Sequence, residues 1–164
     1  MRLLVLDVDG VLTDGTLYYS ANGEELKAFN IQDGLGIKLL QAAGVEPAII
    51  SGRGSRALEL RAENLGVRHL YQGVERKVSA FEHLLQKLEL EPGQAACIGD
   101  DLPDIALLQR CGLAVTVPDA PDIVRTHAHY VTRRPGGRGA VREACELILE
   151  AQGQLQTQLA SYRT

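Results

Sequence analysis

Apolar and polar positions follow two periods along this chain. Leu3–Leu6, Pro47–Ile50, Ala95–Ile98 and Ala114–Val117 are short, nearly unbroken apolar runs, and the first three stop at Asp7, Ser51 and Gly99. Runs without polar alternation suit strands covered on both faces, as in a parallel sheet. Between them, Leu35–Ala43, Ser55–Leu65 and Val78–Leu88 carry helical spacing, the last with Phe81, Leu84, Leu85 and Leu88 on one face. Near the end, Val141, Ala144, Cys145, Ile148 and Leu149 recur at i, i+3, i+4, i+7 and i+8, which predicts a helix over about 139–153. Strands alternating with helices predict an α/β fold of three layers in one domain spanning residues 1–164.

One segment breaks the alternation. Gly15–Tyr19 and Glu24–Asn30 flank Asn22-Gly23, a strong hairpin signal because a tight turn needs residues that accept positive φ. A hairpin over about 15–30 is therefore expected straight after the first strand. It carries Tyr18, Tyr19 and Phe29, in a chain with five Tyr, two Phe and no Trp. Those rings either pack on the domain's own core or mark a lid or a subunit contact. The Gln-rich last dozen residues read as a helix tail prone to fraying.

Composition narrows the function classes. With 164 residues, 45% of them apolar, the chain is long enough to bury a real core. Its net charge of −4 argues against a nucleic-acid backbone binder, which needs a basic face. Cys97, Cys111 and Cys145 are widely spaced, without a CxxC, and read as reduced, packed thiols. Asp7 and Asp9 interrupt the apolar N-terminus, and no apolar run approaches the roughly 18 residues that span a bilayer. The expectation is a cytoplasmic protein with no membrane partner.

The acids are unevenly placed. Asp7-Val8-Asp9-Gly10 ends the first apolar run, and Gly99-Asp100-Asp101 with Asp104 ends the third. At the C-terminal edge of a parallel sheet these carboxylates enter the crevice where α/β proteins bind ligands. They repel one another, and a hard divalent cation such as Mg²⁺ is the natural compensation. Ser51-Gly52-Arg53 follows the second run, supplying a hydroxyl, a free N–H and a guanidinium, which are the groups phosphate oxygens take. Lys77 adds a compact positive charge at the start of the third helix.

Taken in order, Asp7-x-Asp9-Gly10-Val11, Ser51-Gly52-Arg53, Lys77 and Gly99-Asp100-Asp101-x-x-Asp104 resemble the four motifs of the haloacid dehalogenase superfamily of phosphatases. The resemblance spans most of the chain. It implies a Rossmann-like parallel sheet and Mg²⁺-dependent phosphoryl transfer through an aspartyl-phosphate. Asp7 would be the nucleophile and Asp9 the general acid and base. Mg²⁺ would be held by the Asp7 and Asp100 carboxylates and the Asp9 backbone carbonyl. Ser51 and Gly52 would hold phosphoryl oxygens, Lys77 would offset charge, and Asp104 or Asp101 would orient the site from behind.

Superfamily members usually carry a cap domain for selectivity, and the spacings here leave no room for one. Ser51 to Lys77 admits only a helix, a short strand and a turn. The finer resemblance is to the capless sugar-acid branch. It rests on Asp7-Val-Asp-Gly-Val-Leu-Thr-Asp-Gly15, Asn22-Gly-Glu-Glu-Leu-Lys-Ala-Phe-Asn30, Asp33-Gly-Leu-Gly-Ile37 and Gly136-Gly-Arg-Gly-Ala-Val-Arg142. Gln32 stands where relatives often have arginine, which weakens any ionic substrate contact from that position.

The implied substrate is a phosphorylated sugar acid, an eight-carbon 8-phosphate of lipopolysaccharide precursor synthesis or a nine-carbon 9-phosphate. Candidate contacts are Arg53, Lys38, Arg61 and Arg138, with Asn30, Asp33 and Gly34 adding polar groups. Arg138, in a Gly-rich turn, is either an exposed loop residue or one flexible enough to reach an adjoining subunit. The resemblance implies a homotetramer with hairpins packed together. A phospho-aspartate receiver module fits less well, because receivers carry the acid pair on the first strand and the phosphorylated aspartate on a later one. A non-catalytic scaffold would be expected to have lost a motif residue, and none is missing.

Overall fold

A computed structural model of the chain describes residues 1–23, 25–160 and 162–163. The first elements are β1 (Leu3–Leu6), β2 (Tyr18–Tyr19), β3 (Glu25–Leu26), α1 (Ile31–Ala42) and β4 (Glu46–Ile50). They are followed by α2 (Arg56–Leu65), β5 (His69–Tyr71), α3 (Lys77–Leu88), β6 (Ala95–Ile98) and α4 (Ile105–Leu108). The last are β7 (Leu113–Thr116), α5 (Asp122–Arg125), β8 (Tyr130–Val131), α6 (Ala140–Ala151) and α7 (Leu155–Ala160).

Six strands form one parallel sheet in the order β5-β4-β1-β6-β7-β8. Successive side chains of a strand point to opposite faces, so each apolar run serves two cores. Leu4, Leu6, Ile49 and Ile98 pack with Ile37 and Leu40 of α1, Leu58 of α2 and Val141, Cys145 and Ile148 of α6. Leu3, Val5, Ile50 and Cys97 pack on the other face with Phe81 and Leu84 of α3, Leu108 of α4 and Val124 of α5. This is the expected three-layer α/β arrangement. All three cysteines are free and buried. No helix among the described residues is long and apolar enough to cross a membrane.

The departures from expectation have local causes. Helix α1 begins at Ile31, well before the apolar spacing starts, because Asn30 caps it: its Oδ1 accepts the N–H groups of Gln32 at 2.7 Å and Asp33 at 3.4 Å. That first turn exposes Ile31 and Gln32 and buries Asp33 and Gly34, a pattern with no apolar stripe, so periodicity missed it. Helices α4 and α5 are single turns, too short to show a period, and β8 has only two residues. The hairpin is real but shorter than expected, pairing Tyr18 with Leu26 and Tyr19 with Glu25. Gly23 takes φ +81° while Asn22 stays out of the left-handed region, so the two-residue turn that needs both is not formed. Glu24, the expected first residue of the second strand, lies outside the described residues. The tail forms the separate helix α7, with Leu155 against the core; Ser161 and Thr164 of that tail are likewise outside the described residues.

One buried polar contact ties the layers near the sheet's C-terminal edge. The Asp33 carboxylate accepts N–H groups of Arg142 at 2.8 Å and Gly139 at 3.2 Å, joining the start of α1 to the start of α6. Asp33 was expected to touch substrate. It is instead buried and occupied at a helix N-terminus, where unpaired N–H groups and the helix dipole favour an anion. Asp33→Ala leaves those donors buried and unpaired. It is expected to lower unfolding free energy by roughly 1–3 kcal/mol in urea titrations, with KM unchanged; a raised KM at unchanged stability would restore the substrate-contact reading.

Candidate active site

Strands β1 and β6 are neighbours in register, Leu6 opposite Ile98, so the acids that follow them emerge side by side. Strand β4 flanks β1 on the other side and delivers Ser51. From β1 the chain runs to β4 and β5 on one side and then crosses back to β6 on the other, and α/β folds bind ligands at such switch points. After β1 the backbone turns at Gly10, φ +88°, directly over Asp100. A Cβ there would lie 2.0 Å from Asp100 Oδ2, so only glycine lets the loop pass. Thr13 holds the loop, its hydroxyl donating to the Val8 carbonyl and accepting from the N–H of Gly15.

Lys77 sits between two carboxylates. Its Nζ lies 2.7 Å from Asp7 Oδ1 and 2.7 Å from Asp104 Oδ1. Burial works against the ammonium, yet Asp7 and Asp104 together hold its pKa above the usual lysine value. The second Asp104 oxygen accepts the N–H groups of Asp100 at 3.1 Å and Asp101 at 3.2 Å. Asp104 is therefore fully occupied in fixing both Lys77 and the loop after β6. Asp101 caps the next turn, accepting from Leu102 N at 2.7 Å.

Asp100 lacks such support. Its Oδ1 is buried with no hydrogen-bond partner. Burial, then the charges of Asp7 and Asp104, push the Asp100 carboxyl up to about 8. Burial and Asp104 likewise raise Asp7 to about 6 against the lowering effect of Lys77. A further positive charge beside carboxylates this crowded favours their ionised forms.

The second acid of the first motif has different neighbours. Asp9 Oδ1 accepts from Lys27 Nζ, and Asp9 Oδ2 lies 3.8 Å from Arg53 Nε. Lys27 comes from the hairpin, just after β3, and its side chain is only 2% exposed. Sequence reasoning missed this residue: in a hairpin it reads as a solvated lysine, and its alternation with Glu25 was the sole hint that both face inward.

Asp7, Asp9, Ser51, Gly52, Arg53, Lys77, Asp100, Asp101 and Asp104 all line one cleft of about 490 Å³. Ser51 is buried, with its Oγ accepting from the Arg53 N–H at 3.2 Å, which leaves the hydroxyl proton to donate. Other candidates fall elsewhere. Arg61 donates to the Asn30 carbonyl at 2.9 Å and stacks over Phe29, and Gly34 is buried beneath it. Lys38 is exposed on α1 and Asn30 is the helix cap. Arg138 stays 70% exposed, 3.8 Å from Asp14, beside the loop's far wall. Its turn was expected to be flexible. It is instead packed: a Cβ at Gly136 would lie 1.7 Å from the Gly10 carbonyl oxygen, and Gly137 N donates to the Val11 carbonyl.

Residues 72–142 match the haloacid dehalogenase-like hydrolase family. The 3-deoxy-D-manno-octulosonate 8-phosphate phosphatase of Escherichia coli (strain K12) is 52% identical over 155 residues, covering 94% of this chain and 82% of the relative. The chain belongs to the 3-deoxy-D-manno-octulosonate (KDO) 8-phosphate phosphatase family. The crystal structure of the family's Yersinia pestis member has a TM-score of 0.94 at 52% identity, covering 95% of this chain and 84% of that one. The Moraxella catarrhalis KDO 8-phosphate phosphatase, in complex with magnesium, phosphate and KDO, has a TM-score of 0.97 at 42% identity, covering 99% and 93%.

In this KDO 8-phosphate phosphatase relative, the donor set fits a magnesium ion. Oxygens of Asp7, Asp100 and Asp104 lie within 4.8 Å of one another, and hard cations take carboxylate oxygens. Asp104 already serves Lys77 and two N–H groups, which leaves Asp7 and the orphaned Asp100 Oδ1 as the carboxylate donors.

The pH dependence of stability follows from the same crowding. Without metal, Asp7 and Asp100 bind protons more tightly folded than unfolded, so their contribution is complete at low pH and is lost as pH rises through about 6 and then about 8. The melting temperature in chelator is expected to fall across that window. Mg²⁺ competes with the protons and should flatten the decline, raising Tm most at the alkaline end. A pH-independent Mg²⁺ effect in a calorimetric series would contradict this.

Proposed function

We propose that the chain hydrolyses 3-deoxy-D-manno-octulosonate 8-phosphate to KDO and inorganic phosphate, as one phosphatase domain supplying lipopolysaccharide precursors. The observation that carries the reading is Asp7, fixed at the end of β1 between Lys77 and Asp100 with its carboxylate facing the cleft. The identity of the ester is supported by the relatives, which share about half of the sequence over nearly the whole chain.

The chemistry runs in two displacements. An Asp7 oxygen attacks phosphorus, the bond from phosphorus to the ester oxygen breaks, and Asp9 protonates that leaving oxygen. In the second displacement Asp9 takes a proton from water as the water oxygen attacks phosphorus. The Asp7–phosphorus bond then breaks, releasing phosphate and restoring the carboxylate. Ser51 Oγ and the Gly52 N–H donate to phosphoryl oxygens, and Lys77 offsets the charge they carry. Mg²⁺ held by Asp7 and Asp100, with the Asp9 carbonyl, supplies the charge neutralisation that lets a carboxylate approach an anionic ester.

Asp9 is suited to proton transfer because its side chain stays off the metal-binding carboxylates, paired with Lys27 and Arg53 instead. Arg53, half-exposed beside Ser51 and Gly52, is the cation best placed for the sugar acid's carboxylate. With no cap over the cleft, the rest of the substrate needs walls from another copy. The exposed Leu17, Tyr18, Tyr19 and Leu26 of the hairpin and the adjoining Ile31 support self-association through that element; we infer a cytoplasmic homotetramer.

Asp7→Asn is expected to lower phosphate release by at least on the order of 10³-fold in single-turnover assays, with the fold intact by circular dichroism. In a panel of phosphorylated sugar acids with Mg²⁺, the eight-carbon 8-phosphate should lead, and chelator should abolish turnover. A preference of about tenfold in kcat/KM for a nine-carbon 9-phosphate would overturn the named substrate while leaving the chemistry. Light scattering after size exclusion should give four protomers, and Leu26→Glu should give a smaller species; a monomeric wild type would remove the assembly reading.

A further inference from the structure

Four side chains at the mouth of the cleft form a closed ring of alternating charge. Asp9 Oδ1 meets Lys27 Nζ, and Lys27 Nζ lies 3.1 Å from Glu25 Oε1. Glu25 Oε2 accepts from Arg53 Nη2 at 2.6 Å, and Arg53 Nε returns to Asp9 Oδ2 at 3.8 Å. Tyr19 accepts a further Arg53 N–H at 3.2 Å. Three of these residues, Tyr19, Glu25 and Lys27, belong to the hairpin, whereas Asp9 follows β1 and Arg53 follows β4.

Burying an ammonium is costly unless it is paired on a well-fitted partner. Lys27 is almost wholly covered; of its two ionic partners, Asp9 lines the cleft and Glu25 in turn pairs with the cleft residue Arg53. Lys27 thus holds Asp9 Oδ1, while Oδ2 lies 3.8 Å from Arg53 Nε, beyond hydrogen-bond distance, and keeps a free lone pair for the transferred proton. A general acid works only when its oxygen is within hydrogen-bond reach of the leaving atom, so fixing the carboxylate plane has a direct kinetic value.

We propose that Lys27, braced by Glu25, is a positioning residue that holds Asp9 for proton delivery to the leaving group. The inference rests on the phosphatase reading above. It extends that reading by making the hairpin part of the catalytic apparatus within its own chain.

The test separates positioning from simple structural support. Proton delivery matters for an ester whose alcohol leaves as an alkoxide and hardly at all for p-nitrophenyl phosphate, whose phenolate leaves unaided. The readout is release of the alcohol or phenol in a single turnover, which reports the first displacement alone. For Lys27→Met, release of KDO from the 8-phosphate is expected to fall on the order of 10–10²-fold, with release of p-nitrophenol reduced by less than about threefold. Asp9→Asn should show the same split more strongly, and Lys27→Arg should recover much of the loss. Glu25→Gln, which loosens the brace while keeping the lysine, should show a smaller split in the same direction and provides the readout if Lys27→Met does not fold.

Equal losses on both esters, or no loss on either, would overturn the positioning role. A split that appears with another sugar-acid phosphate, the 8-phosphate being inert, would uphold it and overturn only the named substrate. A wild type that releases neither product would overturn the phosphatase reading and this inference together.

Discussion

Like-charge crowding at the ends of β1 and β6 is the constraint on which the rest of the site depends. Parallel pairing in register forces Asp7 and Asp100 together, and Asp104 completes a group whose oxygens lie within 4.8 Å. At such separations each pair of unit charges repels by about 4 kcal/mol even at an effective dielectric of about 20. The surrounding residues divide the compensation. Lys77 is shared by Asp7 and Asp104, and backbone N–H groups take the second Asp104 oxygen. Asp100 Oδ1 receives no hydrogen bond, and that unbalanced remainder suits the site to a divalent ion.

The same crowding explains why a chain of net charge −4 can take a doubly anionic substrate. Binding depends on the local field, and the cleft sets six acids, Asp7, Asp9, Glu75, Asp100, Asp101 and Asp104, against Lys77 and Arg53, so a divalent cation is what opens it to an anionic ester. The bulk balance speaks against a nucleic-acid backbone as partner and says nothing of a compact phosphate ester.

How much of this was legible in the sequence follows from what each residue's position depends on. Asp7, Ser51 and Asp100 sit at strand ends, and strands with both faces buried announce themselves as unbroken apolar runs; their adjacency then follows from the α/β topology. Lys77 opens a helix and was readable for the same reason. Residues whose neighbours come from distant segments were not. Asp33 looked like a polar group at the end of the hairpin, but its partners are N–H groups of residues 139 and 142, a contact no local pattern encodes. The Gly136-Gly137 turn looked flexible because glycine is permissive, whereas its glycines admit the close approach of the loop after β1. Lys27 was hidden because charge in a hairpin ordinarily means solvent.

Lys27 also changes what the hairpin is for. A two-stranded ribbon is marginally stable alone in water, and this one pairs over only two residues per strand. Its inner side is held to the sheet's edge by the charge ring through Asp9 and Arg53, while its outer side exposes Tyr18 and Leu26. An apolar outer side that is covered by another copy stabilises the ribbon, and a stabilised ribbon fixes Glu25 and Lys27 against Asp9. Were copies to associate through that side, assembly and proton transfer would be linked through one short element, and whatever loosened the outer contact would loosen the carboxylate on the inner side. In a phosphatase without a cap, that linkage would supply through association what a cap domain supplies elsewhere by closure.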